Sequence, residues 1–136
     1  MFLEVRAEMR IENRKFKRFV VKERGFVAFR PEFTKLGRII DISRGGLGCE
    51  YFVYKDFRDG DEEPLSSEID IFLSNNTFYA SRIPCSVAYD IEIARNETTF
   101  AGITENRRCG VKFGKLREEQ NRQLEVFIRN YAGEGQ

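Results

Sequence analysis

Seven short segments between residues 25 and 113 are rich in β-branched and aromatic residues, and apolar and polar positions alternate in several of them. Such segments predict strands, because successive side chains of a strand point to opposite faces. The segments are 25–29, 37–43, 47–54, 68–73, 78–95, 98–103 and 108–113. Turn signals separate them at Gly45-Gly46, Asp59-Gly60-Asp61, Ser74-Asn75-Asn76 and Arg95-Asn96-Glu97. We therefore predict a meander of about six antiparallel strands, closed into a small β-barrel that covers its edges.

The periodicity becomes helical between Lys115 and Tyr131. Four apolar residues recur there with the spacing i, i+3, i+4 and i+7, and a fifth precedes them by two turns. These residues are Leu124, Phe127, Ile128, Tyr131 and Leu116. Two glutamates, at 118 and 119, fall in the first turn, where the helix dipole favours acids, and Gly133 is placed as a C-cap. The pattern predicts a C-terminal amphipathic helix that packs on the barrel, with a partner surface as the alternative.

The 136 residues are enough for one domain with a genuine core. We predict a single barrel domain with its helix at residues 19–136, preceded by a flexible basic arm at residues 1–18 that has few core-patterned positions. Charged residues make up 33% of the chain, which is typical of a soluble protein. The N-terminal segment has no apolar h-region, and no apolar run approaches the roughly 18 residues of a spanning helix. We therefore expect a cytoplasmic protein.

Charge is distributed unevenly along the chain despite a net charge of only +1. Residues 1–30 carry nine Lys or Arg against four Glu, whereas residues 50–70 carry two against eight acids. A basic N-terminal segment is suited to phosphates, and the acidic segment is expected to be an exposed loop that stays away from them. The alternative is that both clusters are simply solvated surface.

Cysteine and histidine usage argues against a metal site and against catalysis. Cys49, Cys85 and Cys109 each occupy an apolar position of an alternating segment, which predicts buried thiols. The chain has no histidine and no CxxC pair, so the usual zinc spacings and any histidine base are excluded. It also lacks a GxxxxGK loop and a nucleophile with an evident base. We expect a protein that is not an enzyme and holds no metal or cofactor.

The segment GRIIDIS at residues 37–43 combines apolar and polar positions. By strand alternation Ile40 and Ile42 share one face, so Asp41 and Ser43 share the outward face. The glycines that follow allow a tight turn or a ligand lying against the main chain. The simpler interpretation is ordinary turn chemistry, in which Asp and Ser bond to nearby backbone.

Two arginines provide the matching cations. Arg14 and Arg18 are four residues apart, so they lie on one side of either a helix or a strand. A guanidinium binds phosphate with two parallel hydrogen bonds and also reads guanine O6 and N7. Asp41 can accept from guanine N–H donors or hold an arginine in place. Phosphate together with guanine is therefore a coherent ligand.

These residues resemble the PilZ domain family. The resemblance rests on Arg14-x-x-x-Arg18, on Asp41-x-Ser43-x-x-Gly46, and on a β-rich chain that carries RCGVKF at 108–113 before a final helix. PilZ domains are bacterial receptors for cyclic di-GMP, built as six-stranded antiparallel barrels. The resemblance implies that Arg14 and Arg18 clasp phosphates and guanine edges. It also implies that Asp41, Ser43 and Gly46 contact a guanine from the barrel side.

Other residues near the two motifs leave the ligand set open. Asn13 stands where similar proteins that bind an intercalated ligand dimer have a basic residue, so the stoichiometry is one or two cyclic di-GMP. Lys15, Lys17, Arg44 and Arg108 are further candidates for phosphate contacts, although surface cations are commonly just solvated.

The sequence as a whole favours a cyclic di-GMP receptor whose arm orders on binding and signals to a separate, unidentified protein partner. One alternative is a PilZ-like interaction module that no longer needs nucleotide and docks a partner through its Phe-rich surface or its helix. Another is a small barrel that binds single-stranded nucleic acid through the basic arm, with Phe16 and Phe19 available for base stacking. The net charge and the acidic segment weaken this last alternative.

Overall fold

The computed structural model describes residues 16–22, 24–30, 35–56, 67–98 and 102–134. These residues form eight strands and one helix. The elements are β1 (Phe19–Val21), β2 (Gly25–Phe29), β3 (Leu36–Ile42), β4 (Gly46–Asp56), β5 (Glu68–Leu73), β6 (Tyr79–Thr98), β7 (Gly102–Phe113), α1 (Glu118–Tyr131) and β8 (Ala132–Glu134). No helix formed by the described residues has the length and apolar character needed to cross a membrane.

Six of the strands close into a barrel. Their order is β2-β5-β6-β7-β4-β3, and a further pairing of β2 with β3 completes the ring. Every pairing is antiparallel, which confirms the six-stranded antiparallel barrel expected from the sequence. The predicted meander is wrong, because β4 pairs with β7 and β5 pairs with β2, so not every strand pairs with the next one along the chain. The two remaining strands extend the sheet outside the ring, since β1 pairs with β3 and β8 pairs with β1.

The core fills the barrel with aliphatic side chains from all six strands and with two residues of α1. Its fully buried members are mostly β-branched or leucine, as expected of side chains that pack on the pleated surface of a sheet. They include Val27, Ile39, Ile42, Leu47, Ile69, Ile71, Ile83, Leu124 and Phe127. The helix thus belongs to the same core as the barrel.

The three thiols are buried, as predicted. Cys49 and Cys109 lie directly opposite each other on β4 and β7. A hydrogen bond with Cys109, together with burial, raises the pKa of the Cys49 thiol, and burial raises the pKa of Cys85 to about 11. The predicted alternation does not continue past Cys85, since Val87 is exposed, and β6 shifts register against β7 directly after it, between Val87 and Tyr89.

Helix α1 is attached to the barrel at both ends. At its start, Gln120 accepts from the Arg117 backbone N–H at 2.9 Å and donates to the Arg82 carbonyl at 3.0 Å, so one buried side chain both caps the helix and holds β6. Further along, the Phe127 ring packs edge-on against Phe78, with 5.1 Å between ring centroids. The predicted amphipathic helix is confirmed, and its apolar face covers the barrel.

Gly133 does not cap this helix. The chain leaves α1 through Ala132, whose φ of −127° and ψ of 154° are those of a strand. Gly133 lies in β8, opposite Val20 of β1. The prediction of a glycine C-cap was therefore wrong, because backbone pairing with β1 takes over directly where the helix ends.

The longest strands also differ from the sequence prediction. Segments 98–103 and 108–113 were predicted as separate strands, but β7 is one strand from Gly102 to Phe113. The turn predicted at 95–97 is wrong, because these residues lie within β6. This strand shifts its register against β7 at three places along its length. The turn at 74–76 is confirmed, with the Asn76 N–H bonded to the Leu73 carbonyl at 3.1 Å. The predicted loop at 59–61 lies outside the described residues.

A buried carboxylate joins three strands on the side of the barrel formed by β2, β5 and β6. Asp70 accepts from Arg30 at 2.6 and 3.0 Å, from the Tyr79 hydroxyl, and from the Arg82 backbone N–H at 3.0 Å. Burial alone raises the pKa of the Asp70 carboxyl, but the hydrogen bonds from Arg30 and Tyr79 outweigh it and the pKa lies below its ordinary value. This fully bonded acid is a structural group.

Candidate functional site

An ion pair joins the two sequence motifs. Arg18 Nη1 donates to Asp41 Oδ1 at 2.6 Å, across a sequence separation of 23 residues. The contact follows from strand pairing, because Arg18 directly precedes β1 and Val20 of β1 lies opposite Asp41 of β3. The two side chains are 33% and 31% exposed, so water and ligands can reach the pair. Arg18 and Asp41 therefore form the centre of the candidate site.

Strand β3 does not alternate regularly before Asp41. Its register against β4 shifts between Ile39 and Asp41, and both Ile39 and Ile42 are buried in the core. The predicted face shared by Ile40 and Ile42 is therefore wrong, because the irregularity changes which residues point inward. Asp41 remains partly exposed, whereas Ser43 is buried, so the predicted outward pairing of these two side chains is also wrong.

The hydroxyl of Ser43 is used within its own turn. The Ser43 backbone N–H donates to the Gly46 carbonyl at 2.8 Å, and the Gly45 N–H donates to Ser43 Oγ at 3.1 Å. The Oγ also lies 3.3 Å from the Gly46 carbonyl oxygen. These bonds fix a tight turn between β3 and β4, as expected of a serine beside glycines. Ser43 thus shapes the backbone on which Asp41 is presented.

Each glycine of this turn lies so close to atoms of another residue that a side chain would collide with them. A Cβ on Gly46 would lie 2.2 Å from the Val111 carbonyl oxygen, and one on Gly45 would lie 2.7 Å from Cδ2 of Phe16. Among the described residues no glycine has a positive φ, so the conformational freedom of glycine is not the reason for either. The contact with Phe16 shows that the segment before β1 lies directly on the turn.

Gly48 is a site residue that sequence reasoning missed. A Cβ at this position would lie 2.9 Å from Asp41 Oδ1 and 3.8 Å from Nη1 of Arg18. Its bare backbone makes room for the ion pair on the neighbouring strand. The only sequence signal is a glycine two positions after Gly46 in a segment that otherwise reads as strand.

The additional cations occupy different places. Arg44, in the turn, donates from Nη2 to Glu125 Oε1 of helix α1 at 2.6 Å. Arg108 pairs with Glu50 at 2.8 Å on the barrel wall, four strand positions or about 13 Å from the turn. Lys17 places its Nζ 5.6 Å from the centre of the Phe19 ring. The structure therefore places Arg44 and Lys17 beside the site and places Arg108 away from it.

The described residues do not include three of the predicted site residues, which are Arg14, Asn13 and Lys15.

A cavity of about 580 Å³ opens next to the turn, on the side of helix α1. Its walls come from β1, the turn, the second half of α1 and β8. The lining residues are Phe19, Arg44, Glu125, Ile128, Arg129, Ala132 and Gly133. Sequence reasoning missed Glu125 and Arg129, which carry charge on the solvent side of an amphipathic helix and give no local signal of a site.

Comparison with solved structures identifies the fold. The chain superimposes on the PilZ domain with c-di-GMP of YcgR from Escherichia coli with a TM-score of 0.58 and 15% identity, over 87% of this chain and 90% of that one. It matches YcgR in complex with c-di-GMP from Escherichia coli with a TM-score of 0.54 and 15% identity, over 85% of this chain and 44% of that one. The sequence matches no protein-family model and has no significant match among curated proteins. The protein has a PilZ-like fold.

Proposed function

We propose that this protein is a receptor for cyclic di-GMP, with Arg14, Arg18, Asp41, Ser43 and Gly46 as its binding residues. The observation that carries the proposal is the Arg18–Asp41 ion pair, which joins the two motifs beside a glycine turn on a PilZ-like barrel. The solved structures that share this fold contain c-di-GMP. A partly exposed guanidinium and carboxylate held together offer one donor group and one acceptor group to a single ligand.

Binding is proposed to exchange partners within this pair. The Arg18 guanidinium, which bonds Asp41 in the free chain, turns to a phosphate of the ligand. The freed Asp41 carboxylate then accepts from guanine N–H donors. The exchange costs little, because an ion pair that is about one-third exposed is held only weakly against water.

The Ser43–Gly46 turn supplies the surface on which the guanine lies. Its internal hydrogen bonds keep the backbone in place, and its glycines let Phe16 and the Val111 carbonyl lie close against the main chain. Arg44 and Lys17 are proposed to add phosphate contacts, and Arg14 and Lys15 to join them from the preceding segment. Arg108 is left to its partner Glu50.

Signalling is proposed to pass through the N-terminal arm. Residues 1–18 carry six Lys or Arg, which repel one another until ligand phosphates neutralise them. Contacts of Arg14 and Arg18 with the ligand phosphates would order the arm and present a new surface to a separate protein. Strand β1 begins directly after Arg18, so the ordered arm would continue into the sheet.

Titration calorimetry of the full chain with cyclic di-GMP, with GMP and cyclic AMP as controls, tests the proposal. We expect a Kd in the micromolar range or tighter, about −8 kcal/mol or better, and much weaker binding of the controls. No heat with cyclic di-GMP would contradict receptor function and favour the nucleotide-independent interaction module. Preferential, salt-sensitive binding of a single-stranded oligonucleotide would instead support the nucleic-acid alternative.

A further inference from the structure

The cavity beside the turn has the size of a small-molecule site and borders the proposed ligand. Its volume of about 580 Å³ lies within the range of roughly 300–1,000 Å³ that is usual for ligand pockets. Two of its lining residues are chain neighbours of the proposed binding residues, since Phe19 follows Arg18 and Arg44 follows Ser43. Ser43 and Arg44 are consecutive, with Cα atoms about 3.8 Å apart, so the turn connects the proposed binding residues to the cavity.

The lining of the cavity has two kinds of surface. Phe19, Ile128 and Ala132 provide apolar area, on which the face of a planar ring can pack. The polar groups are the guanidiniums of Arg44 and Arg129 and the carboxylate of Glu125. Arg129 is four residues after Glu125 on α1, so both side chains lie on the same side of the helix.

This arrangement matches the hydrogen-bonding edges of guanine. A carboxylate only accepts hydrogen bonds and a guanidinium only donates them. Guanine presents two adjacent donors, N1–H and the N2 amino group, and has acceptors at O6 and N7. Adenine presents an acceptor at N1 beside its amino donor, so a carboxylate placed there meets one donor and one repelling lone pair. A single acid flanked by arginines therefore selects guanine.

Glu125 is available for this role in the free chain. It bonds Arg44 at 2.6 Å, but the two side chains are 44% and 56% exposed. Pairs this exposed are held weakly, so a ligand that offers phosphate to Arg44 and guanine N–H groups to Glu125 can replace the bond between them. We infer that the cavity receives one guanine of the cyclic dinucleotide and that Glu125 determines its preference for guanine over adenine. This inference rests on the proposed function.

The test compares cyclic di-GMP with cyclic di-AMP, which share the phosphates and differ at the base edge. Calorimetric titrations of the full chain give the ratio of the two affinities for the unchanged protein and for Glu125→Gln. We expect the preference for cyclic di-GMP to fall by about tenfold or more, because a good two-bond contact to a base contributes discrimination of that order. The same substitution also frees Arg44 from its pair with Glu125. This second effect changes the affinities for both ligands alike, because they share the phosphates, and it leaves the ratio unaffected.

Glu118→Gln is the matched control. It lies on the same helix, its side chain is 87% exposed, and it pairs with Arg122 at 3.4 Å. This change should leave the ratio unaltered, and thermal melts should show both variants folded. An unchanged ratio in Glu125→Gln, or equal affinity of the unchanged protein for the two ligands, would overturn the inference while leaving cyclic dinucleotide binding intact. Failure to bind either ligand would overturn the proposed function and the inference with it.

Discussion

Replacing Arg18 with alanine is expected to weaken cyclic di-GMP binding without unfolding the domain. A hydrogen bond to a charged group contributes about 1.5–3 kcal/mol. The guanidinium must first leave Asp41, and a pair with side chains 33% and 31% exposed contributes only about 0–1 kcal/mol to the free chain. The middle values of the two ranges differ by about 1.8 kcal/mol, which corresponds to about a twentyfold increase in Kd.

Calorimetry at fixed ionic strength measures this change, since phosphate contacts weaken with added salt. Arg18→Lys should restore only part of the affinity, because an ammonium group cannot form the paired hydrogen bonds of a guanidinium. Arg122→Ala is the control, as that side chain is 68% exposed on helix α1 and pairs with the exposed Glu118 at 3.4 Å. Unchanged affinity in a folded Arg18→Ala variant would refute the assignment of Arg18 to the ligand.

Three further predictions concern the core, the thiols and the arm. Phe127→Ala should lower the free energy of unfolding by about 3–5 kcal/mol in a denaturant titration, because the ring is fully buried against the barrel. Cys49, Cys85 and Cys109 should react slowly with a thiol reagent in the native state, since they are buried and the pKa of Cys85 is raised to about 11. Addition of cyclic di-GMP should increase hydrogen-exchange protection at residues 6–18 more than elsewhere.

Each of these measurements has an internal comparison. Val126→Ala, next to Phe127 but 43% exposed, should cost far less stability, and an equal loss would show that the helix does not anchor through its buried face. Rapid native-state labelling of all three thiols would contradict the register of β4, β6 and β7. Equal protection of the arm with and without bound ligand would leave the receptor assignment standing but would move signalling to the barrel or to α1.

Regular patterns along the chain were enough to predict the main elements. The helical spacing of Leu124 and Phe127 located α1, and alternation located the six barrel strands. Alternation fails where a strand carries an extra residue, as between Ile39 and Asp41, because one inserted residue reverses every later side chain. Nothing in the local sequence marks such a residue, which is determined by pairing with a distant strand.

Strands β1 and β8 could not be predicted for a related reason. Each has three residues, too few to establish a period; β1 exists through its pairing with β3 and β8, and β8 through its pairing with β1. The contacts of the candidate site also differ in whether the sequence could predict them. The contact of Arg18 with Asp41 could be expected from the motifs, whereas the contact of Arg44 with Glu125 spans 81 residues and becomes visible only after folding.

The pairing of β1 with β8 brings the two ends of the folded unit together. Phe19 lies opposite Glu134, and partners in an antiparallel pair have Cα atoms about 4.5–5.5 Å apart. A linker of a few residues could therefore join these positions, and the chain could be reopened at the exposed turn at 74–77 to give a circular permutant. The same proximity would let the whole unit be inserted into a surface loop of another protein without forcing that loop apart.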